Sequence, residues 1–150
     1  MIQELRNRTG FQNPKLIKSY NKFSNLIAEL RERELSESVI DQINQELDLI
    51  NQDHDEKTLK KLLFKKQYKI VKLIEKEHKI VPKGYYRNTW LALGMSAFGI
   101  PIGVAFGAAL DNMAFMAMFM PVGMAIGMVI GAQKDAEAAK KGLQLNFQWG

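Results

Sequence analysis

Cysteine is absent from this 150-residue chain, and histidine occurs only twice. The first absence excludes a disulfide framework, a thiol nucleophile, a cysteine-type zinc site and an iron–sulfur cluster. The second excludes a histidine-rich metal centre. Charge is missing from one long stretch, because between Asn88 and Gln133 the only charged residue is Asp111. The average composition, 47% hydrophobic and 25% charged, is that of an ordinary soluble domain. Its distribution is not, and two different solvents are implied.

What fills the charge-free stretch is apolar. Residues 90–110 read WLALGMSAFGIPIGVAFGAAL. At 1.5 Å per residue they make a helix of roughly 31 Å, the thickness of a hydrocarbon core. Residues 113–132, MAFMAMFMPVGMAIGMVIGA, form a second uncharged run, and the break between them is Asp111-Asn112, two good turn formers. This predicts a transmembrane helical hairpin. Lipid supplies no partner for backbone groups, so both arms are expected to be helical despite their glycines and the kink-forming Pro101 and Pro121. The block begins far inside the chain, which does not fit a cleaved signal.

Basic residues set the expected orientation. Lys72, Lys76, Lys79, Lys83 and Arg87 precede the first arm, Lys134, Lys140 and Lys141 follow the second, and the turn has none. By the positive-inside rule both termini are expected to be cytoplasmic. Tyr85, Tyr86 and Trp90 sit where an interfacial aromatic belt belongs. Together with Lys72, Lys76, Lys79, Lys83 and Arg87 they form the predicted membrane interface.

Glycine recurs every fourth residue in both arms, as Gly99, Gly103 and Gly107, then Gly123, Gly127 and Gly131. Each triplet is a smooth stripe on which another helix can pack closely. The pattern GIPIGVAFG, an Asp-Asn link, GMAIGMVIG and a charged exit resembles the glycine-zipper two-span segments of small bacterial membrane proteins, over residues 90 to about 141. The resemblance implies a packed hairpin, a homo-oligomer and a bacterial inner membrane as location, and no chemistry. Folding about Asp111-Asn112 sets Gly107 near Met116 and Gly99 near Met124, so the stripes overlap in part and glycine surface could be left for a second copy. Gly94 lies off both repeats. Met116, Met120, Met124 and Met128 form a four-spaced column, better explained as filling space beside glycines than as a copper(I) site.

The remainder predicts a cytoplasmic three-helix bundle or long helical hairpin, giving an all-α membrane protein. Leu16, Ile17, Tyr20, Phe23, Leu26, Ile27 and Leu30 share one helical face up to about Arg33. Val39, Ile40, Ile43, Leu47 and Ile50 share a second, begun by Ser36 or Ser38. Leu59, Leu62, Leu63, Tyr68, Ile70, Val71, Leu73, Ile74 and Val81 share a third, stopped by Pro82. The expected organisation is a cytoplasmic helical domain over 1–82, an interfacial linker over 83–89, the hairpin over 90–132 and a cytoplasmic exit and tail over 133–150.

Residues 1–55 hold seven basic and ten acidic side chains, net −3, whereas 56–87 hold eleven and three, net +8. The basic third helix points to anionic lipid headgroups as partner. Nucleic acid is the poorer fit, since no interleaved aromatics accompany the lysines in this reading. Asp53-His54-Asp55-Glu56 is the only acid–base-like cluster, and its spacing suits a solvated turn better than a metal site. His78 has no matching triad. No catalytic residue, metal site or cofactor is therefore predicted.

Beyond Gly142, Leu143, Leu145, Phe147 and Trp149 alternate with polar residues, as in a strand. No second alternating segment is evident, so this tail is expected to dock on another copy or another protein. The resulting functional expectation is a non-enzymatic, membrane-anchored interaction or assembly protein, with possible protein partners at the cytoplasmic domain or the tail. The alternative is a homo-oligomeric channel or pore of holin-like or toxin-like kind.

Overall fold

The computed structural model describes residues 1–8, 10–52 and 54–148, and Asp53 and Trp149 of the predicted features lie outside them. The chain is mostly helical: α1 (Pro14–Arg31), α2 (Glu37–Asn51), α3 (Glu56–His78), α4 (Tyr85–Gly94), α5 (Ile100–Ala109) and α6 (Ala114–Lys140). A short π-helical turn, Met95–Gly99, joins α4 to α5. Two strands, β1 (Val81–Lys83) and β2 (Gln144–Gln148), make a two-stranded sheet, so the all-α expectation is corrected in this detail.

Two compact units divide the chain. The first is Met1–Val81 with Leu145–Phe147, and the second is Pro82–Gln144 with Gln148.

In the first unit α1 and α3 start where their local chemistry dictates, whereas Ser36 precedes α2 without a side-chain capping bond. Asn13 accepts the Lys15 N–H at 3.0 Å with Pro14 opening α1, and Asp55 accepts the Thr58 N–H at 3.2 Å to open α3. The α3 end comes earlier than its apolar pattern implied. Lys79 is left-handed at φ 59°, with its N–H turned to the carbonyls of Ile74 and Glu75, and Val81 belongs to β1. The core is built from Leu16, Phe23, Leu26 and Leu30 of α1, Ile43, Leu47 and Ile50 of α2, and Leu59, Leu63, Ile70 and Ile74 of α3, all fully buried. Ile17 and Tyr68, placed on apolar faces by their spacing, are exposed instead.

The N-terminal segment has no regular structure, yet it is held along α2 by two asparagines seven residues apart. Asn44 accepts the Gln3 N–H at 2.8 Å and donates to the Met1 carbonyl at 3.2 Å. Asn51 repeats the arrangement with the Arg6 N–H at 2.9 Å and the Glu4 carbonyl at 3.2 Å. Seven helical residues and three extended ones both advance about 10 Å, so the two clamps stay in register. Ile2 is buried beneath this strap.

In the second unit α4, the π turn and α5 run on as one apolar helix, Tyr85–Ala109, and α6 is the other. Both are long and apolar enough to cross a membrane. Asp111 adopts the left-handed conformation at φ 49° in the connection, as a short Asp-Asn turn requires. Gly142, at φ 69°, follows the end of α6, and the Leu143 N–H returns to the Ala138 carbonyl at 2.9 Å.

Candidate functional site

The interface between the two apolar helices is made of glycine and backbone. A methyl group placed on Gly103 would lie 2.6 Å from the Met116 Cα, one on Gly99 3.0 Å from the Met120 Cα, and one on Gly123 2.6 Å from the Gly99 Cα. A methyl on Gly127 would run into the Trp90 carbonyl, and one on Gly131 would lie 2.5 Å from the Arg87 Cα. Gly107 is looser, since a methyl there would lie 3.3 Å from the Met113 Sδ. All six predicted packing glycines are therefore buried in one hairpin.

Two features differ from the sequence reading. The pairing is shifted: Gly103, rather than Gly107, faces Met116, and Gly99 faces Met120 and Gly123 rather than Met124. The reversal is completed early, with the Asn112 N–H already bonded to the Gly107 carbonyl at 2.9 Å. No glycine surface is left over, because glycines without a facing glycine meet ordinary backbone. The second correction concerns Gly94, which is buried with its would-be methyl 2.7 Å from the Gly127 Cα. In a regular helix a five-residue step from Gly94 to Gly99 would leave the stripe. The π turn absorbs the additional residue, the Ile100 N–H bonding to the Met95 carbonyl, and so restores the face. Pro101, whose ring would clash with the Ala97 carbonyl in an unbroken α-helix, stands just beyond this wider turn.

With glycine inside, the large side chains point outward. Leu93, Phe98, Val104, Phe106, Met118, Val122, Ile126 and Val129 are all exposed. Phe106 and Phe119 stack across the hairpin at 4.8 Å. In the methionine column Met116, Met120 and Met124 are half-buried and Met128 is exposed, and the Met116 and Met120 backbones cover glycines.

At the open end of the hairpin stands Asp135, a buried carboxylate. It accepts the N–H groups of Tyr86 at 3.1 Å and Arg87 at 3.0 Å, the first turn of α4. Gly84 precedes that helix and has no side chain with which to cap it. Lys134 lies over the rings of Trp90, at 5.6 Å, and Tyr86, at 5.9 Å. Tyr85 and Tyr86 meet edge to face at 5.4 Å. Four predicted interface residues, Tyr85, Tyr86, Arg87 and Trp90, thus share the first turns of one helix. Lys72 and Lys76 are on α3, while Lys79 and Lys83 stand beyond its end.

The first unit contains a buried carboxylate, paired with two lysines, that apolar periodicity could not disclose. Glu46 accepts hydrogen bonds from both Lys66 and Lys69. Burial alone would raise its pKa, but the hydrogen bonds and charges of the two lysines outweigh it and hold the carboxyl below its usual range. The α3 surface also corrects the reading that no aromatics accompany the lysines. Phe64 is 77% and Tyr68 52% exposed, among Lys57, Lys60, Lys61, Lys65, Lys72 and Lys76.

The tail forms the expected strand but finds its partner in the chain itself. β2 pairs with β1, a segment too short to show alternation. Leu145 and Phe147 are buried, the Asn146 N–H bonds to Glu29 at 2.7 Å, and Lys22 lies 5.5 Å from the centre of the Phe147 ring. Leu143 is half-buried. A docking role that needs Leu145 and Phe147 accessible is thereby corrected, since both complete the core of the first unit.

The acid–base-like cluster is divided among structural contacts. His54 Nε2 is 2.7 Å from the Leu49 carbonyl, Asp55 caps α3, and Glu56 accepts the Gln12 N–H at 2.7 Å. Hydrogen bonding to Thr58 holds the Asp55 carboxyl below its ordinary value. His78 meets a serine after all, its Nε2 lying 3.2 Å from the Ser36 N and 3.3 Å from the Ser36 Oγ. That nitrogen accepts the Ser36 backbone N–H, which accounts for it as a tie between the α1–α2 connection and α3. Among the described residues no group of three or more His, Cys, Asp or Glu is placed to hold a metal ion.

No protein-family model matches the chain, and neither a curated protein nor a solved structure shows significant similarity to it.

Proposed function

We propose that this chain is a non-enzymatic, membrane-anchored interaction or assembly protein, in which a glycine-packed two-span hairpin anchors a cytoplasmic helical domain. One observation carries the reading: the hairpin is inside out with respect to a water-soluble fold. Its interior is glycine and backbone, and its exterior is Leu, Ile, Val, Phe and Met. Only 22% and 17% of the most apolar windows of the two helices are buried, whereas a core helix of a soluble domain is mostly buried. Such a surface is stable in hydrocarbon and a liability in water.

The positive residues before the first arm and after the second support placing both termini on the cytoplasmic side. A pore would need a polar lining. Apart from the Asp111-Asn112 turn, the only hydroxyl or amide side chain within residues 90–132 is Ser96, which bonds back to the Ala92 carbonyl at 3.1 Å. This favours the anchor over the channel.

Because the chain has no cysteine, single cysteines report topology directly. Introduced at Ser38, Met113 and Gln148, they are expected to react with an impermeant maleimide from outside intact cells only at position 113. External labelling at position 38 would overturn the orientation, and release of the full chain by alkaline extraction would overturn the anchor.

A further inference from the structure

We infer that the outward face of α3 is a second, reversible membrane contact, which lies on an anionic lipid surface with Phe64 and Tyr68 set into the headgroup layer. The inference rests on the reading of the hairpin as a membrane anchor, and adds to it a site and a lipid class.

The face is defined by spacing and exposure together. Lys57, Lys61, Lys65, Tyr68 and Lys72 follow one another at three- and four-residue steps, Phe64 stands between Lys61 and Tyr68 at the same spacing, and together they occupy about a third of the helix circumference. All are exposed, Phe64 at 77%. The opposite side carries the buried Leu59, Leu63, Ile70 and Ile74, so the helix is already anchored in its own core. Phe64 and Tyr68 lie outside that core, on the exposed side. A phenylalanine left that far in water among lysines is placed as in an interfacial helix, where rings enter the boundary and ammonium groups stay with the phosphates.

The cations are of one kind. Every basic residue of α3 other than His78 is lysine and none is arginine. Lysine is a compact, hydrated point charge suited to a diffuse anionic surface, while planar, bidentate recognition of individual phosphates and bases favours arginine. That difference selects lipid over nucleic acid. Lys66 and Lys69 are committed to Glu46. Lys57, Lys61, Lys65 and Lys72 are exposed and open to an external anionic surface. Connectivity supplies proximity, since α3 ends at His78 and the first apolar helix begins at Tyr85, so that even weak attraction becomes effective.

The test uses the full chain in vesicles, with Phe64→Cys carrying an environment-sensitive dye and brominated acyl chains as quencher. In vesicles containing phosphatidylglycerol the dye is expected to shift to the blue and be quenched, and in pure phosphatidylcholine to remain in water. About 1 M salt, where the screening length falls to about 3 Å, should reverse the shift. Lys61→Glu, Lys65→Glu and Lys72→Glu combined should abolish it. Each lysine contributes about fivefold in partitioning, and the Glu46 lysines are left in place so that the fold is kept.

Alkaline extraction of the same vesicles separates the two readings. Chain that resists extraction while its dye stays in water on both lipids overturns the α3 contact and leaves the anchor standing. Chain extracted from both lipids overturns the anchor. A dye that ignores lipid composition but shifts on adding duplex oligonucleotide assigns the face to nucleic acid and overturns the inference.

Discussion

The Asp135 carboxylate accepts the Arg87 N–H at 3.0 Å from a position 48 residues further along the chain. It does for α4 what a local Ser or Asp would do if Gly84 were not there. The first N–H groups of a helix carry its positive dipole end, and a buried helix start without an acceptor is costly. Asp135 therefore closes the open end of the hairpin, while the Asp111-Asn112 turn closes the other.

Asp135→Ala is expected to free the Tyr86 and Arg87 amides and destabilise the hairpin by about 1–3 kcal/mol, the range for a buried charge-assisted hydrogen bond. Amide exchange at these two positions in detergent should rise while exchange around Gly103 stays slow. Unchanged exchange at Tyr86 and Arg87 would show that the cap is dispensable.

The hairpin interface ranks its glycines. Gly94→Ala, Gly103→Ala and Gly127→Ala each bring a methyl against backbone, and should cost about 1–3 kcal/mol or more because a helix backbone cannot yield locally. Gly107→Ala meets its nearest neighbour, the flexible Met113 side chain, at 3.3 Å, and is expected to be tolerated. Thermal stability in mild detergent reads the order. A Gly94 variant as tolerant as the Gly107 variant would contradict the register created by the π turn.

Glu46 links the first unit to pH. Its folded-state pKa is depressed, so the stabilisation it contributes is fully present above the ordinary carboxylate value of about 4.5 and is lost as pH falls through the lower, folded value. Glu46→Gln should destabilise the unit near neutrality and flatten its acid limb. Denaturant midpoints taken from pH 7 down to pH 3 check this, and parallel curves for the two proteins would refute it.

Leu145 tests the role of the tail. Fully buried at 0% exposure, it should cost about 2–5 kcal/mol when replaced by alanine. The loss would appear as earlier unfolding of helices α1–α3, measured without any partner present. A tail that existed only to dock elsewhere would leave that unfolding unmoved.

Much of this was readable from residue order alone. The length of the two charge-free runs, the Asp-Asn break, the four-residue glycine repeats and the apolar faces of α1 and α2 are local or periodic, and periodicity follows from helix geometry before any tertiary contact forms. Other features depended on where distant segments meet. Gly94 joined the interface because a π turn inserted one residue, and no constant period describes a register that changes midway. β1 escaped notice because three residues carry no alternation, and Asp135 because its acceptor role depends on a helix start 48 and 49 residues away. Phe64 and Tyr68 show the same division: spacing put them on a helix, but which side of that helix the core covers was decided by α1 and α2 packing against it. Local geometry sets which residues share a face, and only the packed chain decides which face is left to the solvent or the membrane.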